Sequence, residues 1–305
     1  MTKVIYLIAI QDEFWYDGFC SFVNILFMGS APGVVMNINS LQKFLGEDAS
    51  YFNIEVFDVI DSTNTYLKTR ASEYLSAHGT EKNAPWYVAI ANRQSAGRGR
   101  MGRTFASPGN SGIYMSVLFR PDLPAEQAVC MTTAAAVAAC RAIEECTDKK
   151  PRIKWVNDVF VDGKKACGIL TEASVNPENG GFDWAVLGIG FNVYPPEEGF
   201  PKEIRDIAGA ITEVRSPELR DRISAAFLKE LYRVCLNLKT PDFIEEYKSR
   251  CFLIGEKIDV LRDGKGIPAF AYGLDDDLHL LVRYEDGSEE ALNSGEVSTS
   301  LHHNV

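Results

Sequence analysis

Residues 86–119 read WYVAIANRQSAGRGRMGRTFASPGNSGIYMSVLF, and the changes of texture within them point to the kind of fold. Trp86 to Ala91 and Ile113 to Phe119 are short apolar runs rich in aromatic and β-branched residues, the composition of buried strands. Between them, Gln94 to Arg103 is dense in glycine and arginine. From Asn92 to Pro121 there are five arginines (Arg93, Arg98, Arg100, Arg103, Arg120) and no acidic residue. Within Gly97-Arg98-Gly99-Arg100-Met101-Gly102-Arg103, glycines that let backbone approach a ligand alternate with guanidinium groups suited to phosphate or carboxylate. One Gly-Arg pair would read as a solvated turn. Three arginines in six residues, set between core strands, point to an anion site. The loop has neither the Gly-Lys-Ser/Thr ending of a Walker A loop nor a Gly-x-Gly-x-x-Gly opening a helix.

Working outward, Ile54 to Ile60 alternates as a half-buried strand, and Asp61-Ser62 precede a helical pattern from Asn64 to about Ala77. Ala125 to Cys146 predicts one long alanine-rich helix, with strands at Arg152 to Trp155, Ala166 to Val175 and Trp184 to Ile189. Ser216-Pro217-Glu218 and Thr240-Pro241-Asp242 each place a hydroxyl before proline, predicting two capped helix starts. Beyond Cys251 the runs Lys257 to Leu261, Ala269 to Gly273, Leu278 to Tyr284 and Glu289 to Leu292, parted by Asp263-Gly264 and Asp286-Gly287, read as a small β domain. The boundaries are therefore an appendage at 1–35, with Met36 a candidate start, a main domain at 36–250, and a β domain at 251–305.

The chain has 305 residues, 46% hydrophobic and 24% charged, as in compact soluble proteins. Its net charge of −11 opposes bulk attraction to DNA or anionic lipid. The first fifty residues hold Lys3 and Lys43 against Asp12, Glu13, Asp17, Glu47 and Asp48, which argues against a DNA-reading module. Gln11-Asp12-Glu13 and Asp17 interrupt the apolar N-terminal stretch, which fits neither a membrane span nor a signal peptide. Seven cysteines without C-x-x-C spacing read as free thiols in a reducing cytoplasm. The four histidines show no metal-ligand spacing.

Two further clusters carry chemistry. Lys154-Trp155-Val156-Asn157-Asp158 and Gly163-Lys164-Lys165-Ala166-Cys167-Gly168-Ile169-Leu170 bring lysines and an acid together through a hairpin. Taken alone, Asn157-Asp158 reads as a turn and Lys165 as a surface charge. Leu187-Gly188-Ile189-Gly190-Phe191-Asn192-Val193 ends a strand in Gly-x-Gly before Asn192, which alone signals close packing.

Together with Asp61-Ser62-Thr63-Asn64, these clusters resemble the biotin protein ligases from about Ile54 to the C-terminus. Val156 stands where that family usually has proline, and Phe105 where it usually has tryptophan. The resemblance implies an α+β fold related to class II synthetases, a mixed β-sheet with helices on one side, plus a C-terminal SH3-like β-barrel. It implies biotin adenylation by ATP, then transfer to a lysine of a biotin carboxyl carrier protein, with Mg2+ as cofactor. The implied biotin-binding residues are Ser62, Thr63, Asn64, Gln94, Gly97, Arg98, Gly99, Lys165 and Gly168. Arg98, Arg100, Arg103, Phe105, Lys154, Asn157 and Asn192 would bind ATP and the adenylate. Arg100, Asp158 and Lys165 would be catalytic, with Asp158 and Asn192 toward Mg2+. The resemblance allows a homodimer. A lipoate or octanoate ligase of the same superfamily and a biotin-sensing regulator are the alternatives. The first typically carries R-x-S-G-G-G in its loop, and the acidic N-terminus speaks against the second.

Overall fold

The structure is a computed structural model describing residues 36–299 apart from 80, 82–83, 237, 239–240, 263–264 and 294–295. The expected appendage at 1–35 and the Thr240 cap lie outside the described residues. Five helices, α1 (Ile38–Leu45), α2 (Thr63–His78), α3 (Val129–Cys146), α4 (Leu219–Cys235) and α5 (Ile244–Arg250), accompany a seven-stranded sheet. Its strands are β1 (Phe52–Ile60), β2 (Trp86–Gln94), β3 (Gly112–Phe119), β4 (Arg152–Lys154), β5 (Asp158–Val161), β6 (Lys164–Val175) and β7 (Phe182–Asn192), in the order β1-β2-β3-β7-β6-β5-β4. The sheet is mixed, because β1 and β2 run parallel while every other neighbour is antiparallel.

The two strands flanking the arginine loop, β2 and β3, are neighbours, and every residue of β3 is buried. Alternation along the strands divides the core in two. Val88, Ile90, Val117 and Leu187 face a layer that includes α3, α4 and α1, whereas Ala89, Leu118 and Val186 pack against Leu67, Ala71 and Tyr74 of α2. The helices therefore cover both faces of the sheet, a correction to the one-sided arrangement expected. Alanines in α3 let it lie close against α4 and the sheet.

Helix starts follow their local partners. Ser62 is extended at the N-cap of α2, its hydroxyl accepting from the Thr65 amide at 3.4 Å. Ser216 does not cap α4. The Tyr194 hydroxyl donates to the Ser216 carbonyl at 2.9 Å and accepts from its amide at 3.0 Å, and the helix begins at Leu219. The stretch expected as one helix from Ala125 opens instead as a 3-10 turn, Ala125–Gln127, before α3.

The C-terminal strands β8 (Glu256–Arg262), β9 (Lys265–Leu274), β10 (Leu280–Tyr284), β11 (Glu289–Leu292) and β12 (Glu296–Thr299) form a five-stranded antiparallel sheet in the order β11-β10-β9-β8-β12. It shares a core with the main sheet: Ile258, Val260, Leu278 and Leu280 belong to the same apolar cluster as Ile153 and Tyr247. The Trp155 indole donates to the carbonyl of Leu278 at 2.9 Å, so the β9–β10 loop supports the turn before β5. Among the described residues no helix is long and apolar enough to cross a membrane.

Candidate active site

A cleft of about 400 Å³ opens where α2, the arginine loop, β6 and β7 meet. Ser62, Thr63 and Asn64 at the start of α2, Gln94 at the end of β2, and Arg98, Gly99, Arg100, Arg103 and Phe105 in the loop all line it. Lys154, Asn157, Asp158, Lys165, Gly168 and Asn192 line it as well. Of the residues named from the sequence, Gly97 alone does not. It packs beneath the loop, where an added Cβ would lie 2.4 Å from the Phe105 carbonyl and 2.6 Å from Ser107 Oγ.

The polar wall is internally bonded. Gln94 Oε1 accepts from the Thr63 amide at 2.9 Å, Gln94 Nε2 donates to Ser107 Oγ at 2.9 Å, and Ser116 Oγ lies 2.7 Å from Thr63 Oγ1. These contacts tie helix, strand and loop together, so the groups facing the cleft are preorganised. The floor is made of glycines. An added Cβ at Gly190 would meet the Phe105 ring at 2.3 Å, and one at Gly168 would meet it at 3.0 Å, so this ring lies directly on the backbone of β6 and β7. The aromatic face expected from the sequence is thus present at Phe105.

The cationic side is held by carboxylate and amide partners. Lys165 Nζ lies 2.7 Å from Asp158 Oδ1 across the β5–β6 hairpin. The Lys165 main chain is fixed from outside the sheet by Ile207 and Gly209, and Asn192 Nδ2 reaches its carbonyl at 3.4 Å. Arg100 Nη1 donates to Asn157 Oδ1 at 2.9 Å, and Asn157 Nδ2 donates to the Ile169 carbonyl at 2.9 Å. The Asn157 amide is thereby committed to aiming Arg100. Asn157 sits in the turn and Asp158 opens β5, so a turn assignment for the pair holds for only its first member. The loop closes on itself, with Gly99 N donating to Arg103 O at 2.7 Å and Phe105 N to Gly97 O at 2.9 Å. Met101 at its tip has φ 54 and is 75% exposed.

Several lining residues were not evident from the sequence. Trp155 lines the cleft from the lysine motif, and an apolar wall of Tyr194, Pro196, Phe200, Pro201, Ile204 and Ile207 closes one side. The aromatic and proline-rich run after Asn192 was the available signal. Ser107, Ser116 and Glu172 act through other side chains and left none.

The sequence profile of the "Biotin/lipoate A/B protein ligase family" matches residues 56–192, which hold every residue lining the polar wall and the cationic side. The chain is 30% identical over 253 residues to the "Bifunctional ligase/repressor BirA" of Bacillus subtilis, covering 80% of this chain and 76% of that protein. It is 29% identical to the "Biotin--[acetyl-CoA-carboxylase] ligase" of Mycobacterium tuberculosis, covering 77% of this chain and 84% of that one. Among solved structures, the biotin protein ligase of Aquifex aeolicus in complex with biotin and ATP superposes with TM-score 0.62 at 25% identity, covering 81% of this chain and 99% of that chain. The protein belongs to the biotin/lipoate A/B protein ligase family.

Proposed function

We propose that this chain is an ATP-dependent biotin–protein ligase whose acceptor is a lysine of a biotin carboxyl carrier protein, acting in the cytoplasm and without specific DNA binding. The observation that carries the reading is one cleft whose wall of Ser62, Thr63 and Gln94 adjoins Arg98, Arg100, Arg103 and Lys165. Polar groups on that wall suit a ureido ring, and the cations suit a carboxylate and phosphates. Similarity to proteins named as biotin ligases supports the same reading.

In the first step a carboxylate oxygen of biotin attacks the α-phosphate of ATP, and pyrophosphate leaves. Lys165 neutralises the carboxylate and then the charge developing on the phosphate, and Asp158 holds the ammonium in place. Arg100 and Arg103 cover the phosphate of the adenylate, Asn157 aims Arg100, and Phe105 packs over the glycine floor to shield the mixed anhydride from water. In the second step the carrier's lysine amine attacks the acyl carbon and AMP departs. Catalysis rests on positioning and preorganised charge.

Mg2+ is the implied cofactor. Among the described residues no group of three or more acidic, histidine or cysteine side chains is placed to hold a metal ion, so the protein would contribute the oxygens of Asp158 and Asn192. That fits an ion held mainly by substrate phosphates and water, and its chemistry is to neutralise phosphate charge.

A lipoate or octanoate ligase is disfavoured by the same wall. A dithiolane or alkyl chain would offer no partner to the hydrogen-bonding capacity that Thr63 and Gln94 keep beyond their bonds to each other, Ser107 and Ser116. The test is to incubate the purified chain with ATP, biotin and a purified biotin carboxyl carrier domain and read the carrier's mass. One biotinyl addition, lost when the carrier's target lysine becomes arginine, is expected. An unmodified carrier would refute the assignment.

A further inference from the structure

Glu172, on β6, is not among the residues lining the cleft, yet a cation from α2 and another from the arginine loop both meet its carboxylate. Lys68 Nζ pairs with Oε1 at 2.8 Å, and Arg98 Nη1 lies 3.2 Å from each oxygen. Asn64 Nδ2 donates to Oε2 at 3.0 Å. Burial pushes this carboxyl up, but the hydrogen bonds from Lys68 and Asn64 and the charges of Lys68 and Arg98 outweigh burial and hold it below the usual glutamate range. At neutral pH Glu172 is therefore a fixed anion facing a loop made of glycine and arginine.

That loop needs fastening, because Gly97, Gly99 and Gly102 make it costly to order. Its own hydrogen bonds run from one limb to the other: Gly99 N donates to Arg103 O, Phe105 N donates to Gly97 O, and an antiparallel bridge joins Arg98 and Thr104. Such bonds close the hairpin without tying it to the body of the protein. Three side chains do that. The Phe105 ring lies on Gly168 and Gly190, Arg100 donates to Asn157, and Arg98 reaches Glu172. Gly168, Gly190 and Asn157 all line the cleft, whereas Glu172 stands outside its lining. A ligand entering the cleft can compete for Arg100 and Phe105 but leaves the pair of Arg98 and Glu172 whole.

We infer that Glu172 is a positioning residue that pegs the arginine loop over the cleft through Arg98, so that the Arg98 side chain holds the loop and does not bind phosphate. Under the proposed function, on which this inference rests, the pegged loop retains the biotinyl-adenylate between the two steps. Phosphate is left to Arg100, whose partner Asn157 is a neutral amide, and to Arg103.

The rate at which pre-formed biotinyl-adenylate leaves the full chain separates the two roles of Arg98 by sign. If Arg98 were a phosphate ligand held back by Glu172, neutralising Glu172 would free its charge for the phosphate and slow escape. If it is a peg, the same change loosens the loop and speeds escape. Glu172→Gln keeps the shape and can still accept from Asn64, which the Leu170 carbonyl also holds at 3.4 Å. It is expected to speed release about fivefold, the upper range for a partly exposed ion pair. Arg98→Gln should do the same, and the double variant should go no faster than either, because all three break one contact. Lys68→Gln removes the carboxylate's other cation and leaves the peg, so its release rate should stay within about twofold of wild type. A merely structural role would lower the melting temperature and leave release from the folded protein unchanged. Unchanged or slower release from a folded Glu172→Gln, additive effects in the double variant, or release from Lys68→Gln as fast as from Glu172→Gln overturns the inference while the ligase reading stands. The Arg98 side chain is 43% exposed, so Arg98→Gln folds in any case, and an unchanged rate there overturns the inference as well. Failure of the wild type to form the adenylate from biotin and ATP overturns both.

Discussion

Lys165 illustrates how one side chain acquires a role from its neighbours. In sequence it is one of two adjacent lysines in a hairpin. In the fold, Asp158 holds its ammonium at 2.7 Å, and two backbone hydrogen bonds to Ile207 and Gly209 clamp its main chain at the cleft. Its neighbour Lys164 turns away to the Asp206 carbonyl. Lys165→Gln preserves length and polarity but removes the charge. Adenylate formation should therefore lose about 2–4 kcal/mol in kcat/KM, as for removal of an oxyanion donor, with biotin binding affected far less. Single-turnover measurement of biotinyl-adenylate formation checks this, and an unchanged rate would return Lys165 to an ordinary surface charge. The charged loop and both lysine motifs were legible because they are local clusters in an acidic chain. Glu172 and Ser116 were not, because their meaning depends on how β6, β3 and α2 face one another, and Glu172 lies 108 positions from Asn64. For a related reason the motif did not reveal that Gly97 packs behind the loop and not in the cleft lining. Its place in a motif says nothing about which side of the loop faces the ligand.

At the scale of elements, the sheet depends on helices that no motif marks. Arg250 at the end of α5 reaches Glu144 of α3 at 2.8 Å and Glu246 at 2.8 Å, and Arg141 adds a contact to Glu246 at 2.6 Å and one to Glu230 of α4 at 3.2 Å. Hydrogen bonding by Arg250 holds Glu144 below its ordinary value of 4.5. For Glu246 burial acts upward, but Arg141 and Arg250 bring the net shift down. Lowered folded-state values mean that these groups stabilise the fold fully above the ordinary glutamate range and cease to do so as the pH falls through the depressed values. Arg250→Ala should cost about 2 kcal/mol at pH 7, between the values for exposed and buried pairs. The loss should shrink steadily as the pH falls through those depressed values, where the wild type protonates the same carboxylates. Denaturant unfolding across pH reads both. A pH-independent difference would assign the effect to packing of the arginine stem. Most strand positions were legible from apolar runs, though β5 and β12 were not, and α2 was legible from its cap and periodicity. The two-sided layering and the start of α4 were not, since the first depends on the alternation of Ala89, Leu118 and Val186 against α2, and the second on the hydroxyl of Tyr194.

For the molecule as a whole, the change of texture at Cys251 marks a new sheet but not an independent core. Leu278 is fully buried in the cluster that also contains Ile153, and its carbonyl holds Trp155 beside Asn157 and Asp158. The C-terminal sheet therefore buttresses the lysine motif, an arrangement that the Asp-Gly turns and short strands alone could not reveal. The central claim is that the assembled cleft activates biotin and no other acid of its superfamily. The most direct measurement is ATP–pyrophosphate exchange by the full chain with biotin, lipoate or octanoate as the sole acid. Exchange with biotin, and lipoate and octanoate at least about a hundredfold less effective in kcat/KM, is expected from a wall whose remaining hydrogen-bonding capacity a dithiolane or alkyl chain leaves unmet. Exchange with lipoate or octanoate as fast as with biotin would contradict it.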